Sequence, residues 1–128
     1  MSFFWSQYGE GSKYYTRDVV YWLRKDWQVS LLRAAMGIEG GGYLSNKELE
    51  RSKVEEVCDA AIEFGLYVII DWHDHNADQH VDESKEFFGA MAQKYGHLPN
   101  VLFETFNEPV GQSWSAVIKP YHEQVIQV

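Results

Sequence analysis

The sequence is poor in cysteine and proline, short of positive charge, and free of long apolar runs. Each shortage removes a class of protein. Cys58 is the only cysteine, so no internal disulfide forms and the chain is not a disulfide-stapled scaffold. No apolar run approaches the roughly 20 residues of a membrane-spanning helix. The N-terminus lacks the basic and apolar regions of a signal peptide. Lys and Arg number 11 against 19 Asp and Glu, a net charge of −8. That acidity disfavours nucleic acid or an anionic membrane as partner, because their phosphates would be repelled, and is indifferent to an uncharged polymer. No glycine-rich phosphate loop follows any strand pattern, which weighs against the nucleotide-binding α/β folds.

Aromatic residues are plentiful, with five Trp, eight Tyr and seven Phe, as suits a core with exposed stacking platforms and not a disordered chain. Apolar strand patterns cover residues 29–35, 67–71 and 101–106, at similar intervals. Runs that are apolar on both faces belong to parallel strands covered by helices. A helix is expected over 17–27, burying Val20, Leu23 and Trp27. A second spans 46–64, opened by a Ser45/Glu48 capping box and closed by Gly65 as a left-handed cap. Its Val54/Cys58/Ile62 stripe assigns Cys58 to packing. A third covers 82–95, with Phe88, Met91, Ala92 and Tyr95 on one face, and a last begins near Pro120. Alternating strand and helix at this pitch predicts an α/β fold with right-handed crossovers and a parallel sheet. That sheet is either open and doubly wound or part of a barrel.

The polar residues favour the barrel. Arg33, His73 and the Asn107/Glu108 pair are each expected at or just past the C-terminal end of successive strands, the rim where barrel enzymes carry their chemistry. Asn-Glu-Pro alone is a common strand-to-turn tripeptide, and Arg33 or His73 alone reads as a buried ion pair or a satisfied core histidine. Pro109 cannot donate to a ladder and biases Glu108 away from the helical region, so the strand must end there. Adjacent residues face opposite ways on a regular strand, so a break in the pleat is needed to bring Asn107 and Glu108 into one site. Glu104 is expected to point inward lower down, as a hydrogen-bonded structural group. His75 and His80 fall in the loop 74–81 and read as solvated. Trp5 is either core or a stacking platform.

The segments Leu32-Arg33-Ala34-Ala35-Met36-Gly37, Gly65 to His73, Pro99 to Pro109, and Ile118-Lys119-Pro120-Tyr121 resemble the bacterial-type endoglucanases of glycoside hydrolase family five, the cellulase family within clan A. The resemblance covers essentially the whole chain. It implies a secreted, monomeric, retaining β-1,4-glucanase on an eight-fold (β/α)8 barrel that acts on β-glucan polysaccharide and needs no cofactor. It also implies roles: Glu108 as general acid/base, Asn107 on the sugar 2-hydroxyl, Arg33 steadying and acidifying the nucleophile, and His73 lining the cleavage subsite. Trp5 would stack a glucose on the non-reducing side, and Trp114 is a weaker candidate for the other. The family's nucleophile is a Glu on the seventh strand. With 128 residues against the roughly 250 of a barrel, the expectation is a single partial catalytic domain over 1–128. It would be the N-terminal half, truncated after about the fourth β/α unit, with Met1 near the end of the first strand. Gly37 departs from the subsite tyrosine of many relatives. Two alternatives remain: a metal-dependent barrel hydrolase built on His73 and His75 with Asp71, Asp74, Asp78 and His80 nearby, and a catalytically silent glucan-binding fragment.

Overall fold

Strands β1 (Leu31–Gly37), β2 (Tyr67–His73) and β3 (Val101–Glu104) lie side by side as a parallel sheet in that order, in a computed structural model that describes Met1–Val128. Asp71 pairs with Ala35 on one side and Glu104 on the other, while Gly37 pairs with His73. Because side chains alternate along a strand, this register puts Arg33, Ala35, Gly37, Ile69, Asp71, His73, Leu102 and Glu104 on one face. Leu32, Ala34, Met36, Val68, Ile70 and Trp72 take the other, and all six are fully buried. They join Val54, Val57, Cys58 and Ala61 of α3 (Lys47–Glu63) and Phe87, Phe88 and Met91 of α4 (Val81–Tyr95) in one core cluster, which contains none of the first set. Helices therefore cover one face only. A doubly wound sheet, which needs helices on both, is excluded, and the arc of a barrel remains.

Residues 1–3 extend that arc beyond β1, where the Arg33 N–H donates to Met1 O at 2.9 Å and the Phe3 N–H to Arg33 O at 2.8 Å. No helix is long and apolar enough to cross a membrane.

Several boundaries differ from the sequence expectations, each for a local reason. After a one-turn helix α1 (Gly9–Ser12), the helix α2 (Arg17–Lys25), capped by the Thr16 side chain, stops before Trp27, which is 69% exposed and not buried. Gln28 then turns the chain with φ +52, and the Val29 N–H bonds back to Leu23 O, so β1 starts two residues later than its apolar pattern. The Ser45/Glu48 capping box does not form. The Ser45 and Asn46 N–H groups are both taken by Gly42 O in a tight turn, and Glu48 pairs with Arg51 at 2.7 Å. Gly65 does close α3 as expected, with φ +68 and the Leu66 N–H on Ala61 O at 2.8 Å. Strand β3 ends at Glu104 and not Phe106, and it is an edge strand with Leu102 48% and Phe103 38% exposed, so its two-sided apolar pattern is not buried within these residues. After it a π-helical turn, Trp114–Ile118, leads into α5 (Lys119–Val125), with Pro120 in the first turn as read from sequence.

Candidate active site

The inner face gathers the charged groups. Arg33 is the third residue of β1, not at its end as expected, and only its long side chain brings the guanidinium toward the rim. There Nε donates to Glu104 Oε2 at 2.7 Å, and Nη2 donates to Glu104 Oε1 at 2.8 Å and to Asn107 Oδ1 at 2.8 Å. The same Nη2 is 2.9 Å from Asp71 Oδ2. Five donors in a planar fork suit such a cluster where a lysine would not. The hydrogen bonds that Arg33 donates to Glu104, ahead of the Asp71 and Glu104 charges, raise the Arg33 pKa further. Glu104 is thus the structural inward carboxylate the strand parity suggested.

Asp71 is fully buried and also meets His73 Nδ1 at 2.6 Å. Burial pushes its carboxyl up, against the opposing pull of His73 and Arg33. A carboxylate on Nδ1 holds the His73 ring in one orientation and leaves Nε2 for the open side. The edge of Trp5 packs on His73, with ring centroids 4.3 Å apart and planes at 89°. Trp5 is half-buried, so one part of it is core and the other remains a platform.

Asn107 is 4% exposed. Its Oδ1 is held by Arg33, while its Nδ2 is buried with no partner, an amide donor waiting for an acceptor. Glu108 follows in the left-handed region at φ +47, a conformation that costs a non-glycine residue about 1–2 kcal/mol. The break between the two residues is therefore met by leaving the ladder at Glu104 and reversing the backbone at Glu108, without a bulge inside the strand. The Glu108 side chain is 77% exposed and faces outward.

Two histidines read as solvated each have a partner. His75 places Nδ1 3.2 Å from Glu108 O and 3.9 Å from Glu108 Oε2. His80 is held by Asp74 Oδ2 at 2.7 Å. The sequence signal for the first was the His73-x-His75 alternation past a strand end. The ligand atoms of His73 and His75 do not converge with those of a third group, which is what the metal alternative needs. Glu39, Asp74 and His80 are the group able to hold a cation, with potential ligand atoms all within 4.8 Å of one another.

A buried network that sequence reading missed fixes the segment carrying Trp5. Ser6 Oγ donates to Glu50 of α3 and accepts from the Gly37 N–H at 3.0 Å, and Lys53 Nζ donates to Glu50 Oε1 at 2.6 Å and to Ser6 O at 2.9 Å. Its members come from three distant segments of ordinary composition, so no local pattern marks them. Gly37 has its complement in Gln7, whose Oε1 lies 1.6 Å from where a Cβ at Gly37 would be, so a larger side chain there must displace Gln7. Trp114 is 63% exposed and sits 6.2 Å from His122, apart from the Arg33 cluster.

The model of the cellulase family (glycosyl hydrolase family 5) matches residues 1–128. The chain belongs to glycosyl hydrolase family 5. Among curated relatives, Endoglucanase Z of Dickeya dadantii (strain 3937) is 52% identical over 127 residues, covering 98% of this chain and 30% of that protein. A solved structure from Cytophaga hutchinsonii superposes with a TM-score of 0.95 at 51% identity, covering 99% of this chain and 41% of the other. The catalytic domain of Thermobifida fusca endoglucanase Cel5A, crystallised as a variant with cellotetraose, gives 0.88 at 35% identity, over 98% of this chain and 41% of that one. The arc described above is the N-terminal half of a family 5 (β/α)8 barrel, and the chain spans under a third of the curated relative's length.

Proposed function

We propose that residues 1–128 form an incomplete single domain of an endo-β-1,4-glucanase, which cleaves cellulose or related β-glucans by a retaining two-carboxylate mechanism. The observation that carries this is the Asn107/Glu108 pair: a buried, unpartnered amide donor, locked by Arg33, beside a carboxylate held outward in a left-handed backbone. Glu108 protonates the leaving glycosidic oxygen while a second carboxylate, about 5–5.5 Å away, attacks the anomeric carbon; Glu108, now ionised, then takes a proton from the water that releases the sugar. The Asn107 amide donates to the 2-hydroxyl, whose hydrogen bond strengthens as the oxocarbenium ion develops. His73 lines the cleavage subsite, and Trp5 stacks a glucose on the non-reducing side.

Asp71 and Glu104 are bound to Arg33, and Asp74 to His80 and the Asn76 N–H. The nucleophile is a Glu of the seventh strand, outside these residues, as the family resemblance implies; Arg33 fixes Glu104, Asp71 and Asn107 here and steadies that nucleophile in the whole barrel. An insoluble polymer cannot enter a cell, so the enzyme works outside it. The three-strand arc by itself is a glucan-binding surface without turnover.

The test is Glu108→Gln in the enzyme that contains this chain. Turnover of carboxymethyl cellulose should fall by about 10²–10⁴, the range for one general acid, with binding nearly unchanged. Activity within a few-fold of wild type would rule out the assignment.

A further inference from the structure

The strained backbone of Glu108 has few supports. Its strand ended at Glu104, Pro109 has no N–H to offer, and its own side chain is mostly exposed, with Oε2 no nearer than 3.9 Å to His75 Nδ1. The group that reaches it is His75, from the loop after β2. A carbonyl oxygen only accepts, so the 3.2 Å contact puts the proton on His75 Nδ1, donating to Glu108 O.

The His75 ring is itself aimed by two contacts on the backbone around it. Asp74, buried at the end of β2, accepts the Asn76 N–H at 2.8 Å and holds His80 at 2.7 Å, folding the loop back on itself. From the β3 side, Gln112 Nε2 donates to His75 O at 2.9 Å. The ring then sits between Trp5, with centroids 5.9 Å apart, and Glu108. A pair of hydrogen bonds thus runs in opposite directions between the two rim loops: His75 side chain to the Glu108 carbonyl, and Gln112 side chain to the His75 carbonyl.

We propose that His75 is a positioning residue for Glu108, which holds its left-handed backbone through the Nδ1–H bond to the carbonyl and so sets where the carboxyl proton is delivered. This rests on the reading of Glu108 as acid/base and adds a residue to it. His75 makes no proton transfer of its own. Its ring is partly exposed, so shortening it leaves no core cavity.

The experiment uses the intact enzyme with His75→Ala, His75→Asn, Glu108→Gln and the His75→Ala/Glu108→Gln pair. On cellopentaose, His75→Ala should lower kcat by about tenfold to a hundredfold, the cost of misplacing a catalytic group by up to about an ångström, with KM little changed. The pre-steady-state burst from 2,4-dinitrophenyl cellobioside should be spared, because that leaving group needs no proton. Asparagine can donate its amide to the same carbonyl and should recover most of the loss. In the Glu108→Gln background, His75→Ala should cost nothing further, since the two act as one unit. The inference is overturned if His75→Ala is as active as wild type, if the burst slows as much as cellopentaose turnover, if Asn is no better than Ala, or if the losses multiply in the double variant. Full activity of Glu108→Gln would instead overturn the acid/base reading beneath it.

Discussion

Arg33 grips Glu104 with two parallel hydrogen bonds, Nε to Oε2 at 2.7 Å and Nη2 to Oε1 at 2.8 Å, across the width of β2. The pair ties the first and last strands of the sheet through the inner face, and the same guanidinium orders Asn107. Removing Arg33 leaves Asp71 and Glu104 facing each other with no cation between them, whereas removing Glu104 leaves Arg33 with Asp71 and Asn107. Arg33→Met should therefore destabilise more than Glu104→Gln. Losses of about 1–3 kcal/mol are expected for stranded part-buried groups, read as the shift in urea midpoint. Equal losses would mean the two carboxylates are not held apart by Arg33.

Two non-glycine residues have left-handed backbones, Gln28 and Glu108. Glycine carries no penalty there, so each substitution to Gly should raise stability by up to about 1 kcal/mol. Their effects on turnover should part. Gln28→Gly should leave activity intact, and Glu108→Gly should abolish it, the signature of strain retained for function. A lower melting temperature for Glu108→Gly would show that the side chain itself stabilises the fold.

Tyr43 is buried against Trp72 and Phe87, and burial, with Glu86 beside it, pushes its phenol up to about 12 from an ordinary value of 10.0. The neutral form is the one the fold favours, so its contribution is complete below pH 10 and is lost as pH rises toward 12. Denaturant melts across that window should show stability falling with pH, and Tyr43→Phe should flatten the decline. An identical slope in the variant would exclude Tyr43 as a source.

Both margins of the sheet carry apolar grooves. One is lined by Met1, Phe3, Phe4, Trp22, Leu23 and Trp27, the other by Phe88, Phe103, Val125, Ile126 and Val128. Residues 1–128 expressed alone should self-associate through these margins and the open edge of β3. They should also release no reducing ends from carboxymethyl cellulose. Sedimentation as a monomer at micromolar concentration would show that the margins are tolerated in water. Activity lost on Glu108→Gln would show that a second carboxylate within these residues completes the site.

What the sequence determined by itself is what depends on near neighbours along the chain. The apolar patterns of residues 29–35 and 67–71, the Gly65 stop and the Val54/Cys58 stripe specify strands and helices, though not their exact ends, through steric and burial rules that act over a few residues. The Asn-Glu-Pro sequence likewise requires a break after the third strand, because proline cannot continue a ladder. Tertiary structure decided what depends on which segments meet. That Arg33 reaches the rim from mid-strand, that Asn46 and not a Ser45/Glu48 box opens α3, that Trp27 stays exposed, and that Ser6 joins Glu50 are outcomes of register and side-chain reach between residues far apart in sequence. His75 shows the division most plainly. Its place in a polar loop reads as solvent, but the parallel pairing of β2 with β3 brings that loop beside Glu108, and a donor within 3.2 Å of a strained carbonyl cannot be inferred from the residues on either side of it.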